Sequence, residues 1–123
     1  MKPPIILYGE GYFDFFKSVE EAERYAEPID VQNQEYVAAY DSEGRLLELR
    51  VEEEAVSLWL GLEKTFRERV RIVPAEDTAT HAEELKSLLQ DFLPKLGTPP
   101  DSLHSATLQD LIAASIQRMG FSR

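Results

Sequence analysis

The chain has 123 residues and no cysteine. Disulfides, thiol nucleophiles, redox dithiols and cysteine-ligated zinc are thereby excluded. Histidine is nearly absent too. His81 and His104 are the only two, and neither has a second ligand at metal spacing. No apolar run approaches the roughly 20 residues of a membrane-spanning helix. The opening Met1-Lys2-Pro3-Pro4-Ile5-Ile6-Leu7-Tyr8-Gly9 is too short in apolar residues for a secretory signal. The chain therefore reads as cytoplasmic.

Positive charge is also short. Thirteen Lys and Arg stand against twenty-three Asp and Glu, a net charge of −10. The imbalance is local: residues 1–60 hold fourteen acids and five bases, a net −9, while residues 61–123 are near balance. A surface of this kind repels nucleic acid and anionic membrane and attracts basic surfaces. The expected partner is a protein with a basic surface, with no nucleic acid and no membrane. A chain of this length is one domain, residues 1–123.

What is present alternates well. Ile5-Ile6-Leu7-Tyr8 reads as a strand, Gly9-Glu10-Gly11 as a turn and Tyr12–Phe16 as a second strand, aromatic on both faces. Ser18-Val19-Glu20-Glu21 is a capping box that opens a helix over 18–26, with Val19, Ala22 and Ala26 as its apolar stripe. Pro28 is read as its stop. Tyr36–Tyr40 reads as a strand, followed by the loop Asp41-Ser42-Glu43-Gly44 with Gly where positive φ is needed. Arg45–Glu52 is the return strand and Glu53-Glu54 marks a turn. Two further strands follow, carrying Val56, Leu58, Leu60 and Leu62, then Phe66, Val70 and Ile72. Over residues 53–66 a helix fits the pattern as well.

Thr80-His81-Ala82-Glu83 is a second capping-box pattern. Leu85, Leu88, Leu89, Phe92 and Leu96 then recur at helical spacing, giving a helix over 80–94 that Pro94 kinks or ends. Residues 97–106 read as a linker. A third helix, 107–119, carries Leu108, Leu111, Ile112, Ile116 and Met119 on one side, with Gly120 as its C-cap. The fold class is α+β: an antiparallel sheet of about five to six strands with three helices, packed on one face and leaving the charged face of 45–52 and 66–72 open.

Catalytic chemistry finds little footing. Gly9-Glu10-Gly11 lacks the third glycine, the helix and the lysine of a phosphate loop, so it reads as a hairpin turn. His104 beside Ser105 is not a triad, because sequence neighbours seldom face each other usefully. The many paired carboxylates fit helix surfaces, caps and turns. Arg67, Arg69 and Arg71 share one face of one strand; an ion-paired outer face opposite Glu48, Arg50 and Glu52 accounts for them better than an anion site does. The expectation is a binding protein with no cofactor, no metal and no enzymatic activity. Tyr8, Tyr12, Tyr36, Tyr40 and Trp59 are candidate interface anchors. The partner-binding set combines Tyr36, Tyr40 and Trp59 with the acids Glu20, Glu43 and Glu53.

The run Phe15-Phe16-Lys17-Ser18-Val19-Glu20-Glu21-Ala22-Glu23-Arg24-Tyr25-Ala26-Glu27-Pro28-Ile29-Asp30-Val31, the stretch Glu35–Leu47 and Thr80-His81-Ala82-Glu83-Glu84-Leu85 carry a likeness. Over most of residues 5–96 the chain resembles small acidic immunity proteins of bacterial polymorphic, contact-delivered toxin systems. The resemblance is one of overall style, and no functional residue carries over. It implies a cytoplasmic protein, monomer or homodimer, that binds a toxin domain and occludes its active site. The alternative is an acidic secretion chaperone for an effector. Those usually begin with a helix and dimerise through one, whereas this chain begins with strands.

Overall fold

The computed structural model describes residues 1–58 and 63–123. Five strands form one antiparallel sheet: β1 (Ile5–Gly9), β2 (Tyr12–Phe16), β3 (Ala38–Tyr40), β4 (Leu46–Leu58) and β5 (Glu63–Pro74), in the order β2-β1-β3-β4-β5. The helices are α1 (Val19–Tyr25), α2 (Pro28–Gln32), α3 (Ala82–Phe92) and α4 (Leu108–Met119). This is the α+β architecture that the hydropathy pattern predicts.

The layering departs from expectation. Helices cover both faces of the sheet, not one. On one face Ile6, Phe13, Phe15 and Tyr40 pack with Leu85, Leu89, Leu111 and Ile112 of α3 and α4. On the other Ile5, Leu7, Phe16 and Ile72 pack with Ala22 and Ala26 of the α1 region. Covering both faces is why β1 carries the unbroken run Ile5-Ile6-Leu7, all fully buried, where a half-wet strand would alternate. Each of these large side chains contributes about 1.5–3 kcal/mol on burial.

Beyond Leu47, β4 no longer pairs with β3, and β4 and β5 continue as a two-stranded ribbon. Glu53 and Glu54 lie inside β4, opposite Glu68 and Arg67, and do not form the expected turn. The ribbon is wet enough there to carry acids within a strand. The segments expected as two strands, 45–52 and 56–62, are one strand through Leu58. Leu60, Leu62 and Trp59 lie outside the described residues.

Pro28 is the first residue of α2 and not merely the end of α1; its missing N–H costs nothing at that position. The Ser18 hydroxyl caps α1 as expected, accepting from the Glu21 N–H at 3.1 Å. At α3 the capping box does not form. His81 is the N-cap, and the Thr80 hydroxyl donates instead to Glu76. A capping box does form at α4, between Thr107 and Asp110. The 97–106 linker is folded: Pro100–Leu103 makes a 3-10 turn and Leu103 is buried in the core.

Both sheet edges are tied. The Ser122 N–H donates to the Phe15 carbonyl along the β2 edge, and the Glu23 carboxylate accepts from the Ile72 N–H on β5. Edge groups occupied in this way are closed to stray strand pairing.

Candidate functional site

A large concavity of about 950 Å³ lies at the β2 edge, on the face covered by α1 and α2. Strand parity explains its floor. Phe13 and Phe15 turn into the opposite core, which leaves Tyr12 and Asp14 on this side. Tyr25 comes from the end of α1 and packs its ring at a tilt against Phe16, with centroids 5.0 Å apart. Asp30 comes from α2. Glu35 and Tyr36 come from the segment before β3, fixed by the Val37 N–H donating to the Tyr8 carbonyl. The C-terminal Phe121 and Ser122 close the far wall, and the Ser122 hydroxyl donates to Asp14 at 2.7 Å.

Charge in this groove is unbalanced. Asp14, Glu21, Glu27, Asp30 and Glu35 line it against Lys17, Arg24 and Arg123. Among the described residues none of those five carboxylates forms an ion pair. Its phenols register the field. Burial, with Asp14, Glu35 and Asp30 nearby, raises the Tyr12 pKa. Asp14 first, then burial, raises that of Tyr25. Burial and then Asp30 push Tyr36 well above the ordinary phenol value. Protonated phenols beside carboxylates keep the aromatic walls neutral and the charge negative.

The expected partner-binding residues do not converge. Tyr36 lines the groove. Glu20 lies in a neighbouring cleft of about 470 Å³ between α1 and the ribbon, which shares Arg24 and Glu27 with the groove. Glu43 is exposed on the β3–β4 loop and Glu53 on the ribbon. Tyr40 is only 1% exposed. Its hydroxyl donates to Glu84 at 2.7 Å, so it is a core residue joining β3 to α3 and presents no surface to a partner. Trp59 lies outside the described residues. Of the other tyrosines, Tyr12 is 44% exposed in the groove, while Tyr8 packs on Phe13 in the core. Sequence reasoning missed Asp14, Tyr25, Asp30 and Glu35. The available signal was the density of acids and tyrosines between α1 and β3.

The arginine stripe is ion-paired. Arg67 and Arg69 reach Glu54 at 3.4 and 3.7 Å, and Arg71 reaches Glu52 at 3.9 Å. Elsewhere a hydroxyl, an imidazole and a carboxylate meet at Thr80, His81 and Glu76. Thr80 donates to Glu76, and the His81 Nδ1 approaches both. A nucleophile–base pair needs hydroxyl and carboxylate on opposite ring nitrogens. This cluster is a structural clasp: Glu76 also accepts from the Leu46 and Thr80 N–H groups. Among the described residues no three His, Asp or Glu converge as a metal site would require. Among the described residues no helix is long and apolar enough to cross a membrane.

No family model, curated protein or solved structure matches the chain.

Proposed function

We propose that this chain is an immunity protein, which binds a bacterial toxin domain with a basic surface and occludes its active site. The observation that supports the reading is the groove: carboxylates without an ion pair among the described residues share one concave surface with half-exposed tyrosines. Carboxylates not neutralised by a neighbouring cation steer a basic surface from a distance, and tyrosines supply anchoring area at little entropic cost. Neutralisation needs no chemistry from this chain; seating a rigid domain over the toxin's catalytic cleft is enough. The proposed setting is the cytoplasm. The secretion-chaperone alternative draws less support, because α4 buries Leu111 and Ile112 in its own core and offers no apolar helix face for dimerisation of that type.

The test is co-purification of the tagged protein from its native cells, followed by assay of the captured partner. The reading expects a basic toxin domain whose activity disappears at one-to-one stoichiometry. A captured effector that keeps its activity in the complex would favour the chaperone role.

A further inference from the structure

We infer that the groove beside β2 docks an extended, arginine-bearing segment of the protein partner, with guanidinium groups stacked on Tyr12 and Tyr25 and held by Asp30 and Glu35. The inference rests on the binding reading above and specifies what is recognised.

Size comes first. At about 950 Å³ the groove stands at the upper end of the roughly 300–1,000 Å³ usual for ligand sites. It is too large for a single ion, and it lies open to solvent, as a site for a chain segment must.

The walls decide the side chain. Tyr12 lies across Gly9 and Tyr25 against Phe16, yet the two remain 44% and 38% exposed, leaving aromatic surface open to a partner. A guanidinium is planar and weakly hydrated, so it stacks on an aromatic face and still directs its N–H fork at carboxylates. An ammonium is a compact, strongly hydrated point charge and exploits the rings less well. The groove already holds one cation–aromatic contact, Lys17 Nζ lying 5.4 Å from the centre of the Phe121 ring.

Charge decides the sign. Five carboxylates face three basic side chains, and none of the five is ion-paired among the described residues. The ribbon provides the contrast, since Glu52 and Glu54 there are taken by Arg71, Arg67 and Arg69. A second copy of this chain, itself strongly acidic, is the wrong sign for the groove.

The experiment follows the tyrosine ring resonances of the full chain by NMR. It is titrated with a blocked Gly-Arg-Gly-Arg-Gly peptide, its lysine counterpart and spermidine. The expected result is saturable shifts of the Tyr12 and Tyr25 rings with the arginine peptide, and binding weaker by about fivefold or more for lysine and spermidine. Asp30→Asn with Glu35→Gln, which preserves shape, weakens the arginine peptide by about tenfold. Tyr25→Leu, which keeps an apolar group on Phe16, weakens it as well. Equal binding of all three probes, absence of ring shifts, or unchanged affinity in the Asn/Gln variant overturns the inference. If the peptide fails while the captured toxin is still neutralised, the groove inference falls alone. If the peptide binds as expected but no toxin is neutralised, the immunity reading falls alone.

Discussion

A Cβ placed on Gly44 would stand 2.3 Å from the Cα of Ala82. The β3–β4 loop therefore lies directly against the start of α3, and the His81 N–H donates to the Gly44 carbonyl at 3.0 Å. Gly44 also has φ +84°, a left-handed conformation that side chains disfavour. Strain and collision add at this position. Gly44→Ala is expected to destabilise the fold by about 2–5 kcal/mol, combining left-handed strain with overpacking. Gly11 has φ +80° but meets nothing nearer than the Lys95 Nζ at 3.9 Å. Gly11→Ala should cost only about 1–2 kcal/mol. Urea unfolding of the two variants checks the difference; equal losses would mean that the Gly44 loop moves aside.

Glu76 makes the same junction sensitive to acid. Partial burial alone would raise its pKa, but hydrogen bonds from Thr80, Leu46 and His81 outweigh this and hold the carboxyl at about 2, against an ordinary 4.5. A carboxyl whose folded pKa is depressed stabilises the fold above its unfolded value and loses that contribution as pH falls toward the folded value. The relevant window is therefore pH 4.5 down to about 2. Glu76→Gln should be less stable than the parent at neutral pH, and the gap should narrow steadily through that window. Comparing the two proteins by urea unfolding cancels the other carboxylates. A gap independent of pH would show that the charge on Glu76 does not matter.

The fold was more legible than the site, for physical reasons. Leu85, Leu88, Leu89, Phe92 and Leu96 announce an amphipathic helix because one face must be apolar. The unbroken Ile5-Ile6-Leu7 run is the pattern of a strand buried on both faces, a signal that the expectation of helices on one face passed over. Thr80 misled because a capping hydroxyl has competing partners, and here it donates its hydrogen bond to Glu76. Glu53-Glu54 misled because a wet two-stranded ribbon tolerates adjacent acids. The groove assembles Tyr12, Tyr25, Asp30, Tyr36 and Phe121 from five separate parts of the chain. Only the tertiary fold brings them together, and no local spacing encodes it.

The ribbon arginines should matter little to stability. Arg69 and Glu54 are 41% and 39% exposed at the side chain, and an exposed pair of this kind contributes about 1 kcal/mol or less. Arg69→Ala is expected to change stability by no more than that and to leave partner binding intact. A large loss of binding with an unchanged melting curve would instead make the stripe an anion-binding surface.

Acidic side chains around the groove should act on association rate. Charge reversal at Glu20 or Glu27 is expected to slow encounter with a basic partner more than it speeds dissociation. Rising salt should have the same effect, since exposed charges are screened beyond about 8–10 Å near physiological ionic strength. Reversal at Glu43, on the β3–β4 loop away from the groove-lining residues, should have the smaller effect. Stopped-flow association at several salt concentrations measures all three. An association rate indifferent to salt and to these changes would remove electrostatic steering from the mechanism.

The C-terminal helix belongs to the core, and its removal should show it. Leu111 and Ile112 are 1% and 3% exposed, packed among Leu85, Leu89 and Phe92. Polar ties reinforce the packing: Gln109 donates to the Ser42 carbonyl, and Arg118 to the Leu96 carbonyl. Ile112→Asp discards an apolar side chain worth about 1.5–3 kcal/mol and leaves a carboxylate among apolar groups, so a total loss of about 4 kcal/mol or more is expected. Ending the chain at Gly97 strips the cover from α3 and should prevent stable folding. Met119, 41% exposed at the end of the same helix, is the internal control. Met119→Asp should shift the melting temperature far less than Ile112→Asp. If instead Ile112→Asp melted like the parent yet lost association with a partner, α4 would be an interaction face and its place in the core would be wrong.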